Sequence, residues 1–157
     1  MRPNAFLTFL YSGLCPKAPG TAGSVLALLM GVLIIQYISM ETLVLLTIFF
    51  TMIGIREINA YEEKSNLHDD KRIVIDEVVG VWIALILSSS TFIQIILSLV
   101  FFRLFDIWKP SIIGRIDRNV KGGIGVMGDD MVAGLLAGVC SAGVFQLIGI
   151  LQNTLLN

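Results

Sequence analysis

The chain has 157 residues, 55% of them hydrophobic and only 15% charged, against about 25% charged in an ordinary soluble domain. Its net charge of −1 carries no nucleic-acid signal, and no basic, aromatic-rich patch appears, so no nucleic-acid partner is expected. Two cysteines, Cys15 and Cys140, are too few and too far apart for a disulfide framework or a zinc site.

Length predicts one domain over residues 1–157, and composition points to a membrane. The two cysteines are expected to be reduced, structural thiols. At the N-terminus, Arg2 followed by Ala5 to Leu10 imitates a signal peptide. No small-residue cleavage pattern follows, and Pro16 and Pro19 interrupt the stretch. Leu14 does not suit lipid attachment at Cys15, so neither cleavage nor a lipid anchor is expected.

Pro19-Gly20-Thr21-Ala22-Gly23-Ser24 comes next. Ser24 reads as a helix cap, and Thr21 and Ser24 with free backbone N–H groups suit an anion. Apolar stretches follow at 24–40, 42–55, 78–90, 91–105 and 131–151. Glu41 splits the first two, and Ser88-Ser89-Ser90-Thr91 breaks the third from the fourth. None contains proline, which favours helices. Only the last reaches the roughly 20 residues that span a bilayer outright. All eleven Lys and Arg fall in the N-terminal, 56–77 and 103–121 segments. Five crossings would therefore put every basic loop on one side, the cytoplasmic side by the positive-inside rule. The expected fold is all-α: a compact multi-helix bundle, membrane-embedded, with about five short apolar helices and a polar cytoplasmic end. Gly80 and Ala84 share one small face, and Ala133, Ala137 and Ser141 share another beside the G-x-x-x-G of Gly134 and Gly138. Those faces suit helix packing within the chain or a homo-oligomer.

Acids stand at the mouths of the apolar stretches. Asp76 and Glu77 precede the third, Asp106 closes the fourth, and Asp129 and Asp130 precede the fifth. Such carboxylates are costly beside lipid or core unless they bind a cation or one another. Ile73-Val-Ile-Asp76 resembles the start of a haloacid-dehalogenase-type phosphatase, but Val78 stands where the second Asp is required. A capping role at a helix start is the plainer alternative for Asp76 and Glu77. Arg103, Asp106 and Lys109 are spaced three apart and line one helical stripe, ended by Pro110, with Trp108 as an interface anchor. That stripe can hold a metal on its acid and phosphate on its bases. Gly123, Gly125 and Gly128 form a G-x-G-x-x-G without a preceding strand, so a dinucleotide site is rejected. These glycines are expected to set Asp129 and Asp130 at the N-terminus of the last helix, where the two repel unless they share a cation. His68 is the single histidine and is expected to face solvent, with Asp69 and Asp70 as loop acids beside it. Glu57, Glu62 and Glu63 read as a solvated extension of the second helix.

Five runs now stand in order: Pro-Gly-Thr-Ala-Gly-Ser at 19–24, Asp-Glu-Val-Val-Gly at 76–80, Phe-Arg-Leu-Phe-Asp-Ile-Trp-Lys-Pro at 102–110, Asp-Arg-Asn-Val at 117–120, and Gly-Gly-Ile-Gly-Val-Met-Gly-Asp-Asp-Met-Val-Ala-Gly at 122–134. Together they resemble the phosphatidylglycerophosphatase A family, over about residues 10 to 140. The resemblance implies a Mg²⁺-dependent phosphatase of the bacterial cytoplasmic (inner) membrane, with its site on the cytoplasmic side. It would convert phosphatidylglycerophosphate to phosphatidylglycerol and phosphate.

On this reading Asp76, Glu77, Asp106, Asp129 and Asp130 hold one or two Mg²⁺, and Asp76, Asp106, Asp129 and Asp130 carry catalysis. Arg103, Lys109 and Arg118, with Thr21 and Ser24, hold the substrate phosphate. The expected nucleophile is a metal-activated water, and a covalent phosphate on Asp129 or Asp130 is the runner-up. Competing functions are another lipid-headgroup phosphotransferase and an ion-binding transporter.

Overall fold

The computed structural model describes residues 3–67, 70–88 and 91–155. Arg2, His68, Asp69, Ser89 and Ser90 lie outside the described residues. Among the described residues six helices follow one another: α1 (Pro19–Tyr37), α2 (Met40–Ser65), α3 (Ile75–Leu87), α4 (Phe92–Trp108), α5 (Ile112–Asn119) and α6 (Gly123–Leu155). A short 3₁₀ turn, Ser12–Leu14, precedes them, and no strand occurs among the described residues. The all-α bundle is as expected. The five apolar stretches correspond to α1, α2, α3, α4 and α6. Among the described residues, only α1, α2 and α6 are long and apolar enough to cross a membrane. With 13 residues α3 rises about 20 Å, well short of a bilayer core of about 30 Å. Helix α5 lies within the stretch read as polar connection.

Helix α3 is apolar all round, and a helix of that kind needs neighbours on every side. It has them: Ile75, Val78, Val79, Gly80, Val81, Trp82, Ala84 and Leu85 are all buried, and α1, α2, α4 and α6 pack around it. The closest crossing is with α6. A Cβ on Gly134 would lie 2.2 Å from the Gly80 carbonyl oxygen, and one on Gly138 would lie 2.6 Å from the Leu87 Cβ. Ala133, Ala137 and Ser141 are fully buried beside them. The G-x-x-x-G face is therefore used inside the chain. On the opposite flank the Trp82 indole donates to the Ala27 carbonyl at 2.9 Å, fixing α1 against α3. Leu7 and Phe9 also join the core, with the Phe9 ring 6.3 Å from that of Trp82. By contrast, large apolar side chains such as Leu29, Leu45, Met52 and Val139 are exposed. Such an apolar belt suits lipid better than water.

Local sequence explains the helix boundaries. Pro19 opens α1, as a residue without an N–H can. Ser39 caps α2 by accepting from the Thr42 amide at 3.1 Å, and Thr91 caps α4. Ser24 does not cap α1; it lies inside the helix and donates to the Gly20 carbonyl at 2.7 Å. Nor do Asp129 and Asp130 begin α6. That helix starts at Gly123, whose amide donates to Asn59 Oδ1 of α2 at 2.7 Å. The glycines lie within its first turns because α6 presses on neighbouring backbone: a Cβ on Gly123 would sit 2.3 Å from the Ile55 carbonyl oxygen. Both aspartates are thus carried nearly two turns into the helix and into the interior.

The connection from α2 to α3 is pinned by charge. Asp70 accepts from Tyr61 Oη at 2.6 Å and from Arg72 Nε at 2.9 Å. The Arg72 guanidinium holds the Asp70 carboxyl well below the usual range, against the opposing effect of burial. This shift stabilises the fold above the unfolded pKa of about 3.9, and the stabilisation is lost as pH falls through the depressed folded value. Asp70→Asn is expected to cost about 1–3 kcal/mol near neutral pH. Its deficit against wild type, read from thermal melts in detergent, should shrink as pH drops below about 4. At the α3–α6 crossing, Gly134→Ala should cost about 1–3 kcal/mol through overpacking. Gly149→Ala, with nothing within 4 Å, should be neutral or stabilising by up to about 1 kcal/mol.

Candidate active site

The polar ends of α3, α4, α5 and α6 and the first turn of α1 enclose a cavity of about 460 Å³. Six carboxylates line it, from Asp76, Glu77, Asp106, Asp117, Asp129 and Asp130, together with three cations, Lys71, Arg103 and Lys109. Formal charge in the cavity is thus three negative in excess.

Three acids converge. Asp76 and Glu77 stand on the first turn of α3, before its apolar stretch, and Asp130 projects from α6. One carboxylate oxygen from each lies within 4.8 Å of the other two. Asp76 Oδ1 and Glu77 Oε2 are sealed from solvent and have no hydrogen-bond partner. Burial, reinforced by the neighbouring Glu77, pushes Asp76 well above the usual carboxylate range. Burial and then the nearby Asp130 push Glu77 up to about 8. Buried, unpartnered oxygens repelling one another are the donor set of a hard divalent cation. Asp76, Glu77 and Asp130 fit Mg²⁺ in chemistry, an all-oxygen set of carboxylates. Gly20 makes room for the Glu77 carboxylate: a Cβ there would lie 2.3 Å from Glu77 Oε1.

Arg103 is held from several sides. Its Nη1 donates to Asp106 Oδ2 one turn along α4, lies 4.0 Å from Glu77 Oε1, and is 3.4 Å from Ser24 Oγ. Its Nη2 is 3.5 Å from Thr21 Oγ1. Lys109 departs from the stripe expected of positions 103, 106 and 109. It adopts the left-handed conformation (φ 46°, ψ 57°) where α4 ends before Pro110. Its ammonium turns to Asp117 Oδ1 at 2.5 Å and Asp129 Oδ2 at 2.7 Å. Burial alone would lower this ammonium, but the two acids outweigh it and hold it charged.

Most of the residues singled out in the sequence therefore meet: Asp76, Glu77, Arg103, Asp106, Lys109, Asp129 and Asp130 share one cavity. Thr21 and Ser24 stand behind it and touch Arg103. Arg118 is exposed, outside the lining, and donates to the Gly114 carbonyl of its own helix at 2.8 Å. The adjacent pair Asp129 and Asp130 divide, because successive helical residues do not face the same way. Two charged lining residues were given no role in the sequence. Asp117 lies eight residues beyond Lys109 across a proline turn, a separation with no recognisable period. Lys71 lies in the α2–α3 connection, where nothing marks it apart from other loop lysines. Cys15 and Cys140 are both free.

The chain is similar to known proteins. The family model described as Phosphatidylglycerophosphatase A matches residues 5–145. A protein of Escherichia coli (strain K12) named Phosphatidylglycerophosphatase A is 37% identical over 139 residues, 88% of this chain and 78% of its own length. One of the same name from Haemophilus influenzae is 33% identical over 127 residues, 80% of this chain and 78% of its own. A Bacteroides thetaiotaomicron protein named Putative phosphatidylinositol-3-phosphatase is 36% identical over 145 residues, 88% of this chain and 90% of its own. No solved structure matches the chain.

The acid triad makes a direct prediction. Mn²⁺, titrated into the detergent-solubilised protein and followed by electron paramagnetic resonance, should bind wild type. Asp130→Asn should weaken that binding at least about tenfold, the size of effect of losing one charged ligand. Equal binding by both would remove the triad from the metal site.

Proposed function

The chain belongs to the phosphatidylglycerophosphatase A family, and we propose that it hydrolyses phosphatidylglycerophosphate to phosphatidylglycerol and inorganic phosphate. The observation that carries this reading is the meeting of three converging acids with Arg103 and Lys109 in one cavity. Phosphate esters need positive charge at the transferring group, and acids in this number need a divalent cation before they can tolerate a phosphate. Asp76, Glu77 and Asp130 would hold Mg²⁺. When bound, the ion supplies positive charge against the phosphoryl oxygens and lowers the pKa of adjacent water.

The chain's own groups do the rest. Arg103, oriented by Asp106 and backed by Ser24 and Thr21, offers a planar fork to phosphoryl oxygens. Lys109 offers a fixed ammonium in the same cavity. Water adds to phosphorus in line with the departing glycerol oxygen, which leaves with a proton as phosphatidylglycerol. Placing the site at the polar end of an apolar bundle lets a lipid keep its chains in the bilayer while its headgroup reaches the cavity. We take that end to face the cytoplasm of a bacterial cell, a reading supported by the gathering of all eleven Lys and Arg in the N-terminal, 56–77 and 103–121 segments.

Phosphate release from phosphatidylglycerophosphate in detergent is the test. Release should stop with EDTA and return with excess Mg²⁺. Asp106→Asn should lower kcat by about two orders of magnitude, as loss of a strong transition-state contact does. Persistence of release in EDTA, or near-normal turnover by that variant, would refute the assignment. Faster release from phosphatidylinositol 3-phosphate would favour the activity named for the Bacteroides relative. A homoserine recovered at Asp129 or Asp130 after borohydride treatment would replace the water route with a covalent one.

A further inference from the structure

Six acids are more than one cation site employs, and they are not used alike. Asp76 Oδ1 and Glu77 Oε2 are sealed and unpartnered. Asp129 Oδ2 and Asp117 Oδ1 are instead engaged by a single ammonium, that of Lys109. Asp129 and Asp117 are also absent from the triad whose oxygens gather within 4.8 Å. We infer that Asp117 and Asp129 form a clamp that positions Lys109 to donate to the substrate phosphate, separate from the acids that hold the cation. Asp117 is accordingly a positioning residue, acting through Lys109. The clamp deepens the phosphatase reading and rests on it for the phosphate.

An ammonium carries three N–H donors. Two are taken by Asp117 and Asp129, and Lys109 lines the cavity. The third is left for an acceptor brought in from that cavity. A lysine without such restraint is a flexible point charge on a four-carbon stem, and ordering it weakens binding. Two carboxylates on either side remove that freedom before the ligand arrives, which is how a donor becomes preorganised.

The backbone is arranged for this clamp. Lys109 leaves α4 in the left-handed conformation, and Pro110 prevents the helix from continuing. The chain reverses into α5, where Gly114 passes so close that a Cβ would lie 2.7 Å from the Lys109 carbonyl oxygen. Ile113 of α5 is fully buried, and Asp117 lies one turn further on the same face. Burial of Ile113 therefore directs Asp117 inward. The clamp also places a positive charge on Asp129, next in sequence to Asp130, so the two need not repel across the cation site.

The test separates the two groups of acids without requiring turnover. In detergent, Mn²⁺ binding is measured by electron paramagnetic resonance, and inorganic phosphate is titrated calorimetrically into the Mg²⁺-loaded protein. Asp117→Asn should leave Mn²⁺ affinity within about threefold of wild type and weaken phosphate at least about tenfold. Lys109→Gln should do the same, and the double variant should add little, because both changes remove one interaction. Asp117→Glu should recover part of the phosphate affinity. Loss of Mn²⁺ binding in Asp117→Asn, unchanged phosphate affinity, or a full extra penalty on the Lys109→Gln background would each overturn the clamp. Should Asp117→Asn fail to fold, Lys109→Gln decides alone: intact phosphate affinity refutes the proposal, and loss of it with Mn²⁺ binding kept supports it. If wild type ignores phosphatidylglycerophosphate yet binds phosphate through the clamp, the substrate reading fails and the clamp stands.

Discussion

Three carboxylates sealed against one another are the constraint around which the rest of this protein is arranged. Asp76, Glu77 and Asp130 come from two helices, and their oxygens meet within 4.8 Å. Mutual repulsion between buried acids opposes folding, so something rigid has to press those helices together. The α3–α6 crossing does so. Gly80 and Gly134 bring the two backbones close enough that no side chain fits between them. Phe102 closes the third side, its ring 2.3 Å from where a Gly80 Cβ would lie. Small residues at this crossing belong to the site as much as the acids do, because they fix the distance between the two ligand-bearing helices. An expensive arrangement of acids persists only where a ligand repays it, and the oxygen donors left without partners say what kind.

Around that centre the two fixed cations are held in different ways. Arg103 is restrained by a carboxylate on its own helix and by hydroxyls of α1. Lys109 is restrained by acids from two other helices. The difference follows from the side chains. A guanidinium is planar and keeps its shape once one edge is anchored, whereas an ammonium needs partners on several sides to acquire a direction. The result places one forked donor and one single donor in the same cavity as the acid triad, a set of donors suited to the several oxygens of a phosphoryl group.

Much of this was legible in the sequence, and the failures have physical causes. Apolar stretches free of proline located five of the six helices. Acids at the mouths of those stretches located the cavity, because a carboxylate beside lipid or core needs a reason to be there. What the sequence could not show was which way each side chain turns. The stripe through 103, 106 and 109 assumed one continuous helix, and the left-handed residue at 109 broke it. The start of α6 was placed too late because glycines usually end helices. Here they permit close backbone contacts inside one, a choice made by Asn59 and Ile55 from a distant segment. Ser24 followed the same logic in reverse: its hydroxyl satisfied a carbonyl one turn back, leaving it to support Arg103. Asp117 stood in the Asp-Arg-Asn-Val run without a role, because its meaning comes from a chain reversal that no local period encodes.

The distribution of polar groups along the bundle also separates an interfacial enzyme from a conducting path. Along α3, Glu77 and Ser88 are eleven residues apart, about 16 Å at the helical rise. Between them lie Val78, Val79, Val81, Trp82 and Leu85, all buried and apolar. Beyond that interval, where α3 ends, the buried polar groups are neutral and partnered: Ser98 Oγ lies 2.7 Å from Ser88 Oγ, and Ser141 donates to the Gln94 carbonyl at 3.0 Å. No charged side chain lies in this interval on α3, and Gly134 and Gly138 of α6 close on its backbone there. An ion crossing here would have to shed its water against close-packed hydrocarbon. The charge instead gathers where water and headgroups are available, as a hydrolytic site for a lipid requires. A transporter needs continuity across the bundle; this chain concentrates its polar chemistry at one face and seals it from the other.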